Sequence, residues 1–449
     1  MSIPINSMDK TSQNSYNLAS RHIGIANQNI QFFAYKYMNQ QTFQHTSKLS
    51  QAKKSKKQSK KVLMALSGGI DSAVSAWKLI QDGYEVEAVF MKNWSSTNGL
   101  KYDECPWLQD RQDALRVSAF LGIPLHTVDF EKQYEKNVLN YFFNEYKAGR
   151  TPNPDVMCNK EIKFKLLYNW AMNHGFDYLA TGHYAQVVSK KATPVDNSKN
   201  EKKVGKWRTT KKPTTFKAGI KPKAMQTDLT FTLQRSVDEF KDQTYFIYNI
   251  HTPQLPNLLF PIGSMKKSAV RSLAKKIGLP NADKKESMGL CFVGKIRLKE
   301  FLEQKLKPKP GAIVTMNEIG EYKKIGEHQG LAVYTIGQRQ GVRVGQGGPW
   351  FVVGKDLKKN QLIVTNNPHD KLLETQEIEI HSVNWLTDRP AKFKARYRHQ
   401  GELQTVTVTP SKTKGHFIVK FKAPQLAVAS GQSLVMYDGK ICVGGGVIV

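Results

Sequence analysis

Val62-Leu63-Met64-Ala65-Leu66-Ser67-Gly68-Gly69-Ile70-Asp71-Ser72 is the stretch that decides the fold. An apolar strand runs into a glycine turn, and a helix opens at once. The spacing of Ala73, Ala76, Trp77 and Ile80 predicts one face of that helix. Two glycines let the backbone come close to a bound group, and the first N–H groups of the helix point outward into its positive dipole end. Ser67 and Ser72 add hydroxyl donors. Together these make an oxyanion cradle. It is not a Walker loop, because no Gly-Lys-Ser/Thr follows. A bare chain reversal is the competing reading of the glycines alone.

Alternating patterns continue outward from this stretch. Strands are expected at 86–91, 125–128 and 177–181. Helical faces are marked by Ala114/Val117/Ser118/Leu121, by Tyr134/Val138/Tyr141/Phe142, by Leu167/Trp170/Ala171/His174 and by Val270/Leu273/Ala274/Ile277. This alternation predicts an α/β fold with a doubly wound parallel sheet, whose ligands sit at the carboxyl ends of strands. Loop 67–72 and Thr181-Gly182-His183-Tyr184 both fall there. Beyond about residue 303, short β runs with glycine turns take over (350–353, 361–365, 393–397, 405–408, 417–421 and 433–437), so one or two small β domains are expected, the last a barrel.

The chain has 449 residues, 40% apolar, with room for two to four domains. No apolar run approaches the roughly 18–20 residues of a membrane span, so no membrane role is expected. The formal charge is +30. Residues 1–60 carry nine Lys/Arg against one acid, Asp9, and 189–225 carry twelve against two, which leaves +12 on the remainder. The folded body is therefore basic in its own right, which points to a polyanionic partner such as nucleic acid. Four scattered cysteines (Cys105, Cys158, Cys291, Cys442) exclude a disulfide scaffold, and no Cys-x-x-Cys suggests a zinc ribbon. No metal site is assigned. Residues 1–60 are expected to be a disordered basic extension that fits an organelle transit peptide, a plain basic arm being the alternative. Residues 189–225 read as a disordered basic insertion. The expected division is 1–60, a catalytic domain 61–302, a central β-rich domain 303–372 and a barrel 373–449.

Several segments together resemble the tRNA-specific 2-thiouridylases, and mitochondrial members most. They are Phe90-Met91-Lys92-Asn93-Trp94, Gly149-Arg150-Thr151-Pro152-Asn153-Pro154-Asp155, Cys158-Asn159-Lys160, Ala180-Thr181-Gly182-His183-Tyr184, Lys241-Asp242-Gln243, Gly289-Leu290-Cys291-Phe292 and Arg396-Tyr397-Arg398-His399-Gln400. Loop 67–72 itself resembles the pyrophosphate loop of ATP-pyrophosphatases. The resemblance implies replacement of O2 of a wobble uridine by sulfur. A uracil C2 carbonyl is a poor electrophile and oxide a hopeless leaving group. Adenylating the oxygen turns it into AMP, which leaves readily, so ATP, Mg²⁺ and persulfide sulfur from an upstream donor protein are implied.

Carried over position by position, Ala65, Leu66, Ser67, Gly68, Gly69, Ile70, Asp71, Ser72, Met91 and Gly182 are expected to bind ATP, with Asp71 placing the metal or the reacting group. Asn153, Pro154 and Asp155 are expected to meet the target base, Asp155 as acid/base or as a turn cap. Cys291 would carry the persulfide and Cys158 would be the second thiol, the two closing a transient Cys158–Cys291 disulfide on one of two routes. Lys160 and Lys163 would favour a Cys158 thiolate. His183, Lys241, Asp242, Gln243, Arg396, Tyr397 and Gln432 match tRNA contacts, and alternation along 396–399 would turn its basic groups to one face. The implied location is the mitochondrial matrix, or the cytoplasm if the chain is bacterial; oligomeric state is unreadable. Two other functions compete. One is a ligating or amidating synthetase of the same loop type acting on a small metabolite. The other is a noncatalytic tRNA-binding protein.

Overall fold

The computed structural model describes residues 59–95, 106–191, 229–285, 298–316, 320–342, 344, 345, 347–387 and 393–449. The expectations for 1–58, for most of 189–225, for Cys105 and for Cys291 lie outside them.

The first sheet is parallel throughout and is built on β1 (Lys61–Ala65). With β2 (Glu85–Lys92), β3 (Leu125–Asp129), β4 (Tyr178–Thr181), β5 (Ala185–Lys191), β6 (Leu229–Arg235) and β7 (Leu258–Leu259) defined in chain order, its strand order is β3-β2-β1-β4-β7. β1 is buried along almost its whole length, as expected for a central parallel strand covered on both faces. α1 (Ile70–Gln81) and α2 (Pro106–Leu121) bear on one face, where Ile70, Ala73, Val74, Ala114 and Val117 share a core with Ala88 and Phe90. Val74 and Leu79 are buried, whereas Trp77 and Ile80 are only partly so, which shifts the α1 core face from the expected one.

The other face packs against Met91, Val89 and Leu63 through one long helical segment whose middle is irregular. Pro154–Met157 is α, Cys158–Leu167 has π geometry and Tyr168–Asn173 is α again. Such π segments are rare and recur at functional sites.

The antiparallel hairpin β5–β6 leaves this body and joins the barrel sheet, because Gln234 of β6 pairs with Ile441. A mixed four-stranded sheet follows. It comprises β8 (Gly311–Met316), β9 (Tyr322–His328), β10 (Phe351–Asp356) and β11 (Gln361–Thr365), in the order β10-β11-β8-β9. The last six strands are β12 (Glu374–Trp385), β13 (Phe393–Arg396), β14 (Gln404–Pro410), β15 (Phe417–Leu426), β16 (Ser433–Asp438) and β17 (Ile441–Ile448). They run β12-β15-β14-β13-β16-β17, and a β12–β17 pairing closes them into a barrel. Closure removes the sheet edges. The barrel and the catalytic body share one core: Val435, Tyr437 and Cys442 bury with Tyr245, Tyr248 and Leu255. A Cβ at Gly445 would stand 2.8 Å from the Tyr248 ring, so glycine there admits that close approach.

Candidate phosphate loop and base-facing loop

The strand, glycine turn and helix start form where the sequence places them. Ala65 ends β1, and the Leu66 N–H donates to the Val89 carbonyl at 2.9 Å. Gly68 has φ +74°, and a Cβ there would lie 2.3 Å from the Asp110 carbonyl oxygen. Gly69 is the N-cap of α1 and no side chain caps the helix, which leaves its first N–H groups for another acceptor. The Ser72 hydroxyl is used inside the loop: it donates to Gly69 O at 2.9 Å and accepts from Ser67 N–H at 3.2 Å. Gly182, after β4, closes on the same helix start; a Cβ there would meet Ser72 N at 2.9 Å.

Two lysines flank this loop that sequence reasoning missed. The Lys267 Nζ donates to both Asp71 carboxylate oxygens, at 2.8 and 2.7 Å, and the Tyr184 hydroxyl donates to Oδ1 at 2.9 Å. Lys284 Nζ reaches Asp110 at 2.8 Å, Asp113 at 2.7 Å and the Gly68 carbonyl at 3.3 Å, and the Asn281 amide also donates to that carbonyl at 2.9 Å. Burial pulls Lys284 down, but the two carboxylates outweigh it and its pKa rises. Neither lysine had a local signal, because the partners lie far away in sequence.

Glycine clearances and an uncapped helix start fit the phosphates of a nucleotide. Among the described residues no three His, Cys, Asp or Glu side chains gather into a metal site. A Mg²⁺ held here would therefore be shared between Asp71 and the nucleotide, as hard, partly hydrated Mg²⁺ commonly is.

On the opposite face Cys158 is fully buried, in the same core as Ala65 and Met91. It starts the π segment. Lys160 and Lys165 both approach Glu161, at 4.0 and 2.6 Å, so the local positive charge expected from Lys160 is partly cancelled. The Asn159 amide donates to Phe246 O at 3.0 Å. Cys442 is buried in the barrel, where burial pushes its thiol pKa up, as suits an inert side chain. Asn93, just past β2, is 1% exposed, and among the described residues neither of its amide atoms has a hydrogen-bond partner.

The 149–155 loop is gripped from three sides. Lys355 of β10 donates to Gly149 O at 2.9 Å, and the Thr151 and Thr335 hydroxyls meet at 3.2 Å. Gln432 of the barrel donates to Thr151 O at 2.7 Å, and the Thr151 N–H donates to Ser430 O at 2.8 Å. Arg150 forks onto Glu145, with both bonds at 2.6 Å. Asn153 caps the helix beginning at Pro154 by accepting from Val156 N–H at 3.2 Å, and Asp155 sits half-buried in that first turn. A cavity of about 490 Å³ opens beside it, lined in part by Asn153, Lys160, Tyr141, His381 and Ser430.

The residues matched to tRNA contacts divide. Asp242 and Arg396 are interior, 0% and 3% exposed at the side chain, and paired at 2.5 Å. In this structure neither presents its charge to a macromolecule. β13 ends at Arg396, so the expected alternation over 396–399 does not form: Arg396 points inward, while Arg398 is exposed beyond the strand. Gln243 accepts from Tyr184 N–H at 2.9 Å, a structural bond. His183 is hydrogen-bonded to Thr181 Oγ1 at 2.7 Å between the rings of Phe164 and Phe260, and burial with nearby Lys163 holds its pKa well below the usual histidine value. Lys241 and Tyr397 remain partly exposed.

Three family models match in succession. They are described as a tRNA methyl transferase HUP domain over residues 60–295, a tRNA methyl transferase PRC-barrel domain over 299–366 and an aminomethyltransferase beta-barrel domain over 375–448. A tRNA-specific 2-thiouridylase MnmA from Shouchella clausii is 41% identical over 398 residues, covering 88% of this chain and 97% of the relative. One from Halalkalibacterium halodurans is 42% identical, covering 86% and 94%. Among solved structures, a 4-thiouridine synthetase–RNA complex with bound ATP matches at 16% identity and a TM-score of 0.30, over 55% of this chain and 50% of that one, too loose a likeness to carry argument. With near-complete coverage of relatives at this identity, the chain belongs to the tRNA-specific 2-thiouridylase family.

Proposed function

We propose that the chain is an ATP-dependent tRNA-uridine 2-sulfurtransferase. The observation that carries this reading is the phosphate cradle at the end of β1, with Cys158 buried behind the same strands. Loop 67–72 holds the triphosphate, with Met91 and Gly182 beside the adenosine. The uridine O2 attacks the α-phosphorus and pyrophosphate leaves. Sulfur then attacks C2 and AMP departs with the oxygen. The word methyl transferase in the family description fits this site poorly, since methyl transfer needs no pyrophosphate cradle.

Asn153, Pro154 and Asp155 face the base from a loop braced by all three folded parts. Asn153 uses its Oδ1 as a helix cap and lines the adjoining cavity, and Asp155 is the candidate acid/base beside it. Cys291 carries the persulfide. Either the Cys158 thiolate attacks its inner sulfur and frees hydrosulfide, which attacks C2, or the terminal sulfur attacks C2 and Cys158 then attacks the Cys291 sulfur, breaking the S–S bond to the base and releasing the thiolated uridine; both routes leave a Cys158–Cys291 disulfide. Both routes require Cys158 to become accessible from the closed position described here. A thiol reductant must then open that disulfide before an upstream persulfide donor protein reloads Cys291. Lys241 and Tyr397 are the tRNA-facing side chains we retain, with the exposed Arg398 added beside them; Asp242, Arg396, Gln243, Gln432 and the enclosed His183 act as supports for them. The chain divides after residues 60, 302 and 372 into a basic extension, a catalytic domain, a central β-rich domain and a barrel.

The basic segment 1–60 supports a mitochondrial matrix location, whereas the relatives reported are bacterial, which favours the cytoplasm. Fusing 1–60 to a fluorescent reporter in a eukaryotic cell separates the two. The function itself is tested by mass analysis of wobble nucleosides after depletion of the protein. Loss of 2-thiouridine supports it; an unchanged nucleoside profile with organelle and cytosolic tRNA pools separated overturns it.

A further inference from the structure

Phe240 is the most exposed large apolar side chain among the described residues, at 66%, and Val237 on the same turn stands at 46%. A single exposed apolar residue is ordinary, but this turn is not a loose one. The Asp238 carboxylate accepts from the Lys241 N–H at 3.2 Å and from the Lys267 N–H at 2.8 Å, and the Val237 N–H donates to Gly263 O at 3.1 Å. From the barrel side the Gln400 amide donates to the Phe240 carbonyl at 3.2 Å. The backbone is thus fixed on both sides while the ring stays in water. Its rim is cationic. Lys241 Nζ stands 5.8 Å from the Phe240 ring centre. Gln400 shares the 398–401 turn with the exposed Arg398, whose guanidinium is 5.5 Å from the Tyr397 ring. The neighbouring acids do not cancel this charge: Asp238 is taken up by backbone N–H groups, and Glu239 approaches Arg235 at 3.8 Å. An outward ring between cations suits an unpaired RNA base, which stacks on an aromatic face while lysine or arginine takes the phosphate. A protein partner would want a wider apolar patch than one ring and one valine.

We propose that Phe240 is a stacking platform for one unpaired base of the bound tRNA, with Lys241 on the adjoining phosphate, so that this turn fixes the register of the RNA through a contact that carries no charge of its own. This rests on the tRNA-thiolating reading above and adds to it a binding residue outside the segments matched to tRNA contacts.

The test uses the full chain and two fluorescein-labelled probes: a tRNA transcript with a wobble uridine, and a blunt RNA duplex of its anticodon-stem sequence, which has no loop. Anisotropy across a potassium chloride series gives the affinity of the parent, Phe240→Ala, Phe240→Leu, Phe240→Trp and Lys241→Ala. Phe240→Ala should weaken tRNA binding roughly five- to a hundredfold, the range for losing one base–aromatic stack, by the same factor at every salt concentration. Phe240→Trp should keep parental affinity, and Phe240→Leu, apolar without a π face, should recover little. Lys241→Ala should instead flatten the salt slope by about 0.7–0.9. Duplex binding should not respond to position 240. Parental tRNA affinity in Phe240→Ala, the result expected if a protein partner uses this face, overturns the proposal. So does an equal loss on the duplex, or a leucine variant as good as the tryptophan one. A joint fall of tRNA affinity, ATP affinity and melting temperature in Phe240→Ala also overturns it, because it marks a structural role. A parent chain that binds no tRNA at all refutes the thiolating reading itself, and this inference with it.

Discussion

Asp242 and Arg396 are 154 residues apart in the chain and 2.5 Å apart in space, and together they fasten the barrel to the catalytic body. Arg235 reaches the same Asp242 oxygen at 3.3 Å, and the Thr244 hydroxyl, the Thr244 N–H and the Ser236 N–H also donate to this carboxylate. Arg396 also donates to the Tyr437 hydroxyl at 3.0 Å. Burial works against the Arg396 charge, but Tyr437 and Asp242 more than offset it, and its pKa is raised. A buried pair this well bonded is weak evidence of net stability but expensive to break on one side. Arg396→Met alone should therefore destabilise the fold by about 3–5 kcal/mol, while Asp242→Leu with Arg396→Met should recover much of it. Urea denaturation of the two variants decides this; equal losses would mean the pair is not the coupling element.

Gly68 is the position where the loop tolerates no side chain. Alanine there must take positive φ, at about 1–2 kcal/mol, and move the Asp110 carbonyl, which lies 2.3 Å from the new carbon. Gly68→Ala should lose nucleotide binding more than tenfold with a melting temperature only a few degrees lower. Calorimetric titration with ATP against a thermal scan checks the split.

Lys355 sets a pH dependence. Burial pulls its pKa from 10.5 down to about 8 in the folded chain. Between those values the unfolded chain holds the proton and the folded one does not, so this lysine's contribution to stability rises as pH climbs from about 8 to 10.5 and is least favourable below 8. Comparing melting temperatures of the parent and Lys355→Met from pH 7 to 10.5 isolates the effect. The parent should gain on the variant with rising pH, and parallel curves would contradict the assignment.

Cys158→Ser and Cys291→Ser should each abolish 2-thiouridine formation while leaving ATP binding within about twofold. Because Cys158 is fully buried, alkylation of the parent at that thiol should be slow in the free enzyme and at least tenfold faster with tRNA and ATP present. Peptide mass mapping over time would show it; rapid labelling without substrates would mean that the closed position is not the resting one.

The tRNA affinity of a chain with a formal charge of +30 should fall steeply with salt, the log of the binding constant declining by roughly 0.7–0.9 per phosphate neutralised. Arg398→Ala should reduce that slope and Arg396→Met should not. Filter binding across a potassium chloride series tests both.

Local pattern made the nucleotide half of the molecule legible. A strand, two glycines and a helix start are contiguous in sequence, so 62–72 declares its own geometry, and β2, β3, β4 and the helix Lys267–Lys276 fall where their periodicity places them. What stayed hidden is nonlocal. Nothing near Asp242 or Arg396 in sequence reveals that each is the other's counter-ion, and a basic Arg-Tyr-Arg-His string looks like a surface strand until β13 is seen to end inside it. Gln432 has an ordinary polar side chain whose target, the Thr151 carbonyl, is brought near only by barrel closure. The π geometry of Cys158–Leu167 depends on packing, not on composition. β12 escaped notice because mixed polar residues mask its strand pattern.

The hairpin of β5 and β6 has a practical use. Lys191 and Leu229 are register partners, so whatever chain joins them begins and ends at neighbouring points already fixed by the strands. The entropy of closing that excursion is largely met by the ladder, and lengthening it costs only logarithmically. A biotin-acceptor peptide or a fluorescent protein spliced between residues 192 and 228 would thus inherit a ready-made pair of anchor points, offering a handle for immobilising the enzyme without touching either terminus.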